Sequence, residues 1–250
     1  MAIQLTGNSG CKLELTVNNN VPVIIKSNGS QLDLDYAVLQ TLAKLQIKIP
    51  DYYFISPTRV VMRYLDGLSM ADYIQQDKDI HKLIEFLSTI LHTFEKQSIV
   101  TDIRLHIQEK FEQLERCKLP GLLFKLHELY DQLPTHVPCG IYHGDLTLEN
   151  IIYWNDNFYL IDANHTNLNS VAFDSAKIRQ DTECLWFTRN VTIHSDVADK
   201  INYINSAVKD INSYTSNNFL LIFMLLRVIP YCTSMKDRNF LIMQINQLWI

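Results

Sequence analysis

The fold turns on Ile141-Tyr-His-Gly-Asp-Leu-Thr-Leu-Glu-Asn-Ile-Ile-Tyr153, followed shortly by Phe158-Tyr-Leu-Ile-Asp162. The pattern is a loop, a short strand at 151–153, a turn at Trp154-Asn-Asp-Asn157 and a second strand at 158–161. Asp145 precedes Asn150 by five residues, and Asp162 closes the second strand twelve residues beyond Asn150. The hairpin brings these three oxygen-bearing side chains to one end. That set suits phosphoryl transfer from a magnesium nucleotide. Magnesium prefers carboxylate and amide oxygens completed by phosphate and water, a role that fits Asn150 and Asp162. A separate carboxylate must orient the attacking hydroxyl and take its proton, a role that fits Asp145.

On the N-terminal side the chain alternates like half-buried strands. Ile3-Gln-Leu5 and Lys12-Leu-Glu-Leu-Thr-Val17 flank a turn containing Gly7 and Gly10, and Asn18-Asn-Asn20 leads into a third strand, Val21-Pro-Val-Ile-Ile-Lys26. Leu34, Val38, Leu42 and Leu45 then recur at helical spacing, with Leu39 widening the stripe, until Pro50. Tyr52-Tyr-Phe-Ile55 and Arg59-Val-Val-Met-Arg-Tyr-Leu65 complete a strand-rich first quarter. Beyond Gly67 the pattern is mostly helical, over about 70–75, 80–96, 101–117, 121–133, 174–188, 195–212, 217–229 and 235–249. Two lobes are expected, 1–66 and 67–250, with a cleft between them as the place to look for a site.

Composition narrows the function. The 250 residues are 47% hydrophobic and 20% charged, enough for a real core, and the net charge of −5 gives no electrostatic footprint for nucleic acid or an anionic membrane. The five cysteines are odd in number, widely spaced and free of CxxC, which argues against a disulfide framework or structural zinc and for a reducing cytoplasm. The N-terminus lacks the basic-then-apolar pattern of a signal peptide. The longest apolar run, 219–226, is far below the roughly 18 residues of a spanning helix.

His143-Gly-Asp-Leu-Thr-Leu-Glu-Asn150 resembles the catalytic loop of the aminoglycoside phosphotransferase and choline kinase family, in which HGD stands where protein kinases have HRD. Ile161-Asp162 resembles the family's metal-binding Asp. The resemblance implies an α+β, protein-kinase-like two-lobed fold, with a small antiparallel-sheet N-lobe and a larger helical C-lobe. It implies ATP or GTP with Mg2+ as cofactors and a small-molecule alcohol as the acceptor. It also assigns roles. Asp145 would be the catalytic base, with His143 orienting the loop, and Asn150 and Asp162 would hold metal. Lys26 resembles the strand lysine that contacts the α- and β-phosphates, and Asp35 aligns with its helix partner, a Glu in the family and so one methylene longer. Gly7 and Gly10 occupy the turn that covers the phosphates in the family, though a full GxGxxG is absent and an ordinary hairpin turn accounts for them equally. Met62-Arg-Tyr-Leu-Asp-Gly67 resembles the adenine-binding hinge, which makes Met62 and Tyr64 candidate nucleotide contacts; plain linker is the other reading.

Phe173-Asp-Ser-Ala-Lys177 resembles the family's Asp-x-Ala segment, in which the Asp caps a helix and braces the catalytic loop; Asp174 is expected to be structural. Asp181, Glu183, Trp186 and Phe187 could capture a cationic amino alcohol or aminosugar, or could simply be core and solvated acids. The resemblance is fullest over 141–164, partial over 20–67 and thin after 180. A protein kinase is disfavoured because Ala163-Asn164 follows Asp162 instead of Phe-Gly and no Ala-Pro-Glu is present. A non-catalytic nucleotide-binding protein would account for the thin glycine turn, but not for Lys26, Asp145, Asn150 and Asp162 occurring together.

Overall fold

The computed structural model describes residues 3–5, 11–76, 78–116, 123–189, 193–232 and 234–249. The turn carrying Gly7 and Gly10 lies outside the described residues. In chain order the strands and helices are β1 (Ile3–Leu5), β2 (Lys12–Asn18), β3 (Val21–Ser27), α1 (Leu32–Lys44), β4 (Tyr52–Ser56), β5 (Arg59–Arg63), β6 (Leu68–Ser69), α2 (Met70–Gln75), α3 (Ile80–Gln97), β7 (Ile99–Asp102), α4 (Arg104–Arg116) and α5 (Leu123–Gln132). There follow β8 (His136–Cys139), β9 (Ile151–Trp154), β10 (Asn157–Leu160), α6 (Val171–Thr182), α7 (Ser195–Lys209), α8 (Asn218–Val228) and α9 (Met235–Leu248). The class is α+β. The chain divides into two compact units, residues 1–73 with 149–165, and residues 74–148 with 166–250.

The first unit is built on an antiparallel sheet of order β1-β2-β3-β5-β4. Asn19 and Asn20, with φ of 49° and 64°, form the two-residue turn between β2 and β3. Successive positive φ values match the right-handed twist of the flanking strands, and Asn tolerates them better than most residues. Asn155 and Asp156, at 47° and 59°, do the same between β9 and β10. Helix α1 packs Leu32, Val38, Leu39 and Leu42 inward, and Leu32 and Leu39 line a small cavity with Val60 and Met62 of β5. Leu34, expected on that face, is 40% exposed; the buried stripe starts at Leu32 instead, about half a turn away.

Two-residue β6 was not expected, because so short a segment carries no periodicity. It pairs with β9, Leu68 opposite Tyr153 and Ser69 opposite Ile152. This pairing joins the hairpin bearing Asn150 and Asp162 to the first unit. Tyr73 packs edge-on to Tyr153 and Phe158, with ring centroids 4.8 and 5.4 Å away. Gly67 permits the approach: a Cβ there would stand 2.5 Å from the carbonyl oxygen of Tyr153.

In the second unit, α8 is the buried centre, with Leu220 to Leu226 enclosed and α6, α9, α4 and α5 against it. A helix apolar all round is a core helix when too short to span lipid, and no helix among the described residues is long and apolar enough to cross a membrane. Asp79 caps α3, accepting from the amides of His81 and Lys82 at 3.1 and 3.4 Å, and Leu83, Leu87, Leu91 and Phe94 form its buried stripe. The helix expected over 101–117 begins only at Arg104. Residues 99–102 form β7, paired with β8, and are exposed on both faces, so no alternation marked them as a strand. Likewise α6 begins at Val171, three residues before the expected start. Ser170 is its cap, accepting from Ala172 N at 3.2 Å while its own hydroxyl donates to the Pro138 carbonyl at 2.6 Å.

Because the atom facing Gly67 is backbone, the Gly67→Ala variant is expected to lose about 1–3 kcal/mol of stability, or roughly 2–10 °C in Tm, in a thermal melt. An unchanged Tm would mean that the hairpin contact is not maintained.

Candidate active site

The loop 140–147 lacks secondary structure and is held by side chains instead. Gly140 and Gly144 have φ of 124° and 84°, the left-handed region that only glycine enters cheaply. Tyr142, His143, Leu146 and Leu148 are buried, and the intervening Asp145 keeps 36% of its side chain exposed. Two buried carboxylates from α6 brace this loop. Asp174 accepts from His143 N at 2.6 Å and from Gly144 N at 2.9 Å, and Asp181 accepts from Leu148 N at 2.6 Å. Asp174 is thus the brace that the resemblance implied, although the cap of its helix is Ser170. Burial pushes the Asp174 carboxyl up to about 7, against the pull of the amides it binds.

Lys177, one turn beyond Asp174, places Nζ 3.0 Å from Asp145 Oδ1. Asp174, Lys177 and Asp181 are spaced i, i+3 and i+7, so one face of α6 presents anion, cation and anion to the loop. Lys177 went unrecognised in the sequence, yet that spacing, read against a helix starting at Val171, was the available signal.

In the first unit, Asn150 ends a single 3₁₀ turn (Leu148–Asn150), and its carbonyl accepts from Ile161 N at 3.0 Å, holding Asn150 level with Ile161-Asp162 across the hairpin. Asp162 leaves β10 with φ of 53°. A non-glycine residue held in this region costs on the order of 1 kcal/mol, and such residues gather at functional sites. Lys26 Nζ, on β3, lies 3.3 Å from Asp162 Oδ1. With Asp162 more than a third exposed, the pair contributes at most about 1 kcal/mol to folding; it is a placement of charge more than a source of stability.

Asp35 is not the ion-pair partner of Lys26 here. It accepts from His165 N at 2.8 Å, and burial raises its pKa while that amide, Lys26 and His165 oppose the rise. The Asp35 carboxylate is committed to the His165 amide, and Asp162 takes the lysine. Lys26, Asp35, Tyr36, Tyr52, Met62 and Asp162 surround a cavity of about 20 Å³, room for roughly one water. Met62 faces this cavity, whereas the Tyr64 amide is engaged with the Pro22 carbonyl at 3.0 Å. Gly7 and Gly10 lie outside the described residues.

The acidic and aromatic set after α6 is committed internally. Asp181 is fully buried under the loop. Glu183 pairs with Arg179 and, at 3.0 Å, with Lys209. Trp186 is buried, with the Arg189 guanidinium over its ring at 3.9 Å. Trp186 is thus core, as one reading had it, whereas the acids are not solvated: Asp181 is fully buried and Glu183 is held between two cations.

No family model matches the chain, and no curated protein matches its sequence. Solved structures do match in fold. The choline kinase LicA from Streptococcus pneumoniae is 16% identical, with 100% of this chain and 93% of that chain covered and a TM-score of 0.66. An ethanolamine kinase from Plasmodium vivax is 12% identical, with coverage of 100% and 82% and a TM-score of 0.61. A glucosamine kinase in complex with glucosamine, ADP and inorganic phosphate is 11% identical, with coverage of 100% and 79% and a TM-score of 0.60. The protein-kinase-like α+β fold is thereby established, and it is one on which small-molecule kinases are built.

Asp174 carries a testable pH signature. Its folded pKa lies above the unfolded value near 3.8, so its stabilising contribution is fully present below about pH 4 and is lost as pH rises through about 7. Asp174→Asn removes this titration and turns an N–H donor toward a backbone N–H, at a cost of about 1–3 kcal/mol. The variant is expected to melt lower than the parent at pH 5, with the gap narrowing by pH 8. A constant gap across that range would exclude the titration.

Proposed function

We propose that the chain is an ATP-dependent phosphotransferase that moves the γ-phosphoryl group to a hydroxyl of a small molecule. The observation that carries this reading is the pairing of Lys26 with Asp162 at 3.3 Å, across 136 residues of sequence. It joins the side chains suited to the nucleotide's phosphates and to its metal, within a fold shared with kinases of choline, ethanolamine and glucosamine.

Asn150 and Asp162 fit a magnesium ion. Both offer hard oxygen donors, and the Ile161 amide bonded to Asn150 sets them at one end of the hairpin. Among the described residues no cluster of three or more His, Cys, Asp or Glu could hold a metal by itself, so phosphate and water would complete the shell. Bound there, the metal would neutralise phosphate charge. Lys26 binds the α- and β-phosphates, leaving Asp162 for the metal. Asp145 accepts a hydrogen bond from the acceptor hydroxyl. As the hydroxyl oxygen forms its bond to the γ-phosphorus, the bond from that phosphorus to the β-bridging oxygen breaks, ADP leaves, and Asp145 takes the hydroxyl proton. Asp174 and Asp181 fix the loop and so the aim of Asp145; His143, buried within it, is a positioning residue.

Amino alcohols, aminosugars and other sugars, including those of surface-polysaccharide biosynthesis, all carry the required hydroxyl. The cytoplasm supplies the nucleotide and would keep Cys11, Cys139, Cys184 and Cys232 as the free thiols described.

Thermal melting with ATP and with GTP, each with and without magnesium, tests the nucleotide site; a magnesium-dependent rise in Tm is expected and should vanish in Asp162→Ala. Asp145→Asn should keep that rise while losing at least about a thousandfold in turnover. Turnover retained in Asp145→Asn would refute the assignment of the base.

A further inference from the structure

Asp145 is the open carboxylate of a largely buried loop, and its backbone is fixed on both sides. Asp174 accepts from the amides of His143 and Gly144 at 2.6 and 2.9 Å, and Asp181 accepts from that of Leu148 at 2.6 Å. The Asp145 carbonyl accepts from Thr147 N at 2.8 Å. These bonds hold the main chain but not the two side-chain torsions of Asp145. Lys177 acts on those torsions. Its Nζ stands 3.0 Å from Asp145 Oδ1, with 13% of the lysine side chain exposed against 36% for the aspartate. Among the described residues this is the lysine's single ion pair. The geometry of α6 brings it there. Asp174, Lys177 and Asp181 share one helix face at i, i+3 and i+7, so the carboxylates that dock the helix on the loop also deliver the lysine between them. A pair with a carboxylate this open adds little to folding, less than the rotamer freedom given up in ordering a lysine. Its main effect is on where Asp145 points.

We infer that Lys177 is a positioning residue for the transfer: by holding Oδ1 it turns the Asp145 carboxylate to the direction from which it meets the acceptor hydroxyl. The inference rests on the phosphotransferase reading and adds to it a residue that acts through the base. Phosphoryl transfer asks the protein chiefly for position and charge, with little covalent chemistry of its own. A reacting group displaced by about 1 Å can cost on the order of a hundredfold in rate. Lys177 therefore affects the rate of the chemical step, and not the affinity for acceptor or nucleotide.

The test uses the full chain with Mg·ATP and with choline, ethanolamine, glucosamine, glucose or water as the acceptor. ADP release and Tm are both recorded. For the acceptor that the parent uses, Lys177→Met is expected to lower kcat about tenfold to a hundredfold, with KM held within about threefold. The Mg·ATP-dependent rise in Tm is kept. Lys177→Arg, which restores the charge in a different shape, is expected to recover part of the loss. In the Asp145→Asn background Lys177→Met is expected to cost little more, because residues that act as a unit are not additive. Lys209→Met breaks another 3.0 Å lysine pair, with Glu183, and is expected to lower Tm while keeping kcat. Lys177→Gln gives the same readout should the Met variant fail to fold; loss of folding in both would make the lysine structural and overturn the inference. Parental kcat in Lys177→Met would overturn it alone, as would an equal kcat loss in Lys209→Met or fully additive losses with Asp145→Asn. ADP release with no acceptor, water included, would overturn the phosphotransferase reading and the inference with it.

Discussion

The paired carboxylates of α6 beneath the loop 140–148 are the constraint on which the site depends. A loop with buried residues at 142, 143, 146 and 148 also buries backbone amides, and each amide without an acceptor would cost roughly 1–3 kcal/mol. A buried Asp without donors would cost at least as much. Asp174 and Asp181 meet three of these amides, so the loop and the helix satisfy one another and neither is sound alone. Helical geometry then fixes the rest. One turn after Asp174 the same face delivers Lys177 to Asp145, so the register that braces the loop also sets the charge beside its exposed carboxylate.

Helix α6 can hold so many polar groups indoors because its far end is also compensated. Arg179, fully buried, is shared between Glu183 of its own helix and Asn218 of α8, and Lys209 of α7 completes the cluster on Glu183. A buried ion pair contributes little net stability, since desolvation offsets its attraction, but removing one partner leaves a strongly destabilising charge. Through Asn218 the cluster ties α6 to α8, and through Lys209 to α7.

How much of this was legible followed from the range of each signal. The β2–β3 and β9–β10 turns were legible because Asn-Asn and Asn-Asp supply positive φ locally. The loop 143–150 was legible because its residue types lie within eight consecutive positions. Strands β6 and β7 were not, the first being only two residues long and the second exposed on both faces, so that neither alternates. The start of α6 was misplaced because Asp174 resembled a cap, whereas Ser170 performs that role through two hydrogen bonds at once. The partner of Lys26 was not legible because the Asp35 carboxylate is taken by the His165 amide, 130 residues away in sequence.

This division has a chemical logic. The groups proposed to handle nucleotide and metal are set by local backbone, namely the β9–β10 hairpin, the left-handed Asp162 and the end of β3. Such geometry tolerates little change, and it is also what leaves a short, readable motif. The charge beside Asp145 is set differently, by Lys177 on α6, whose register the buried Asp174 and Asp181 fix against the loop.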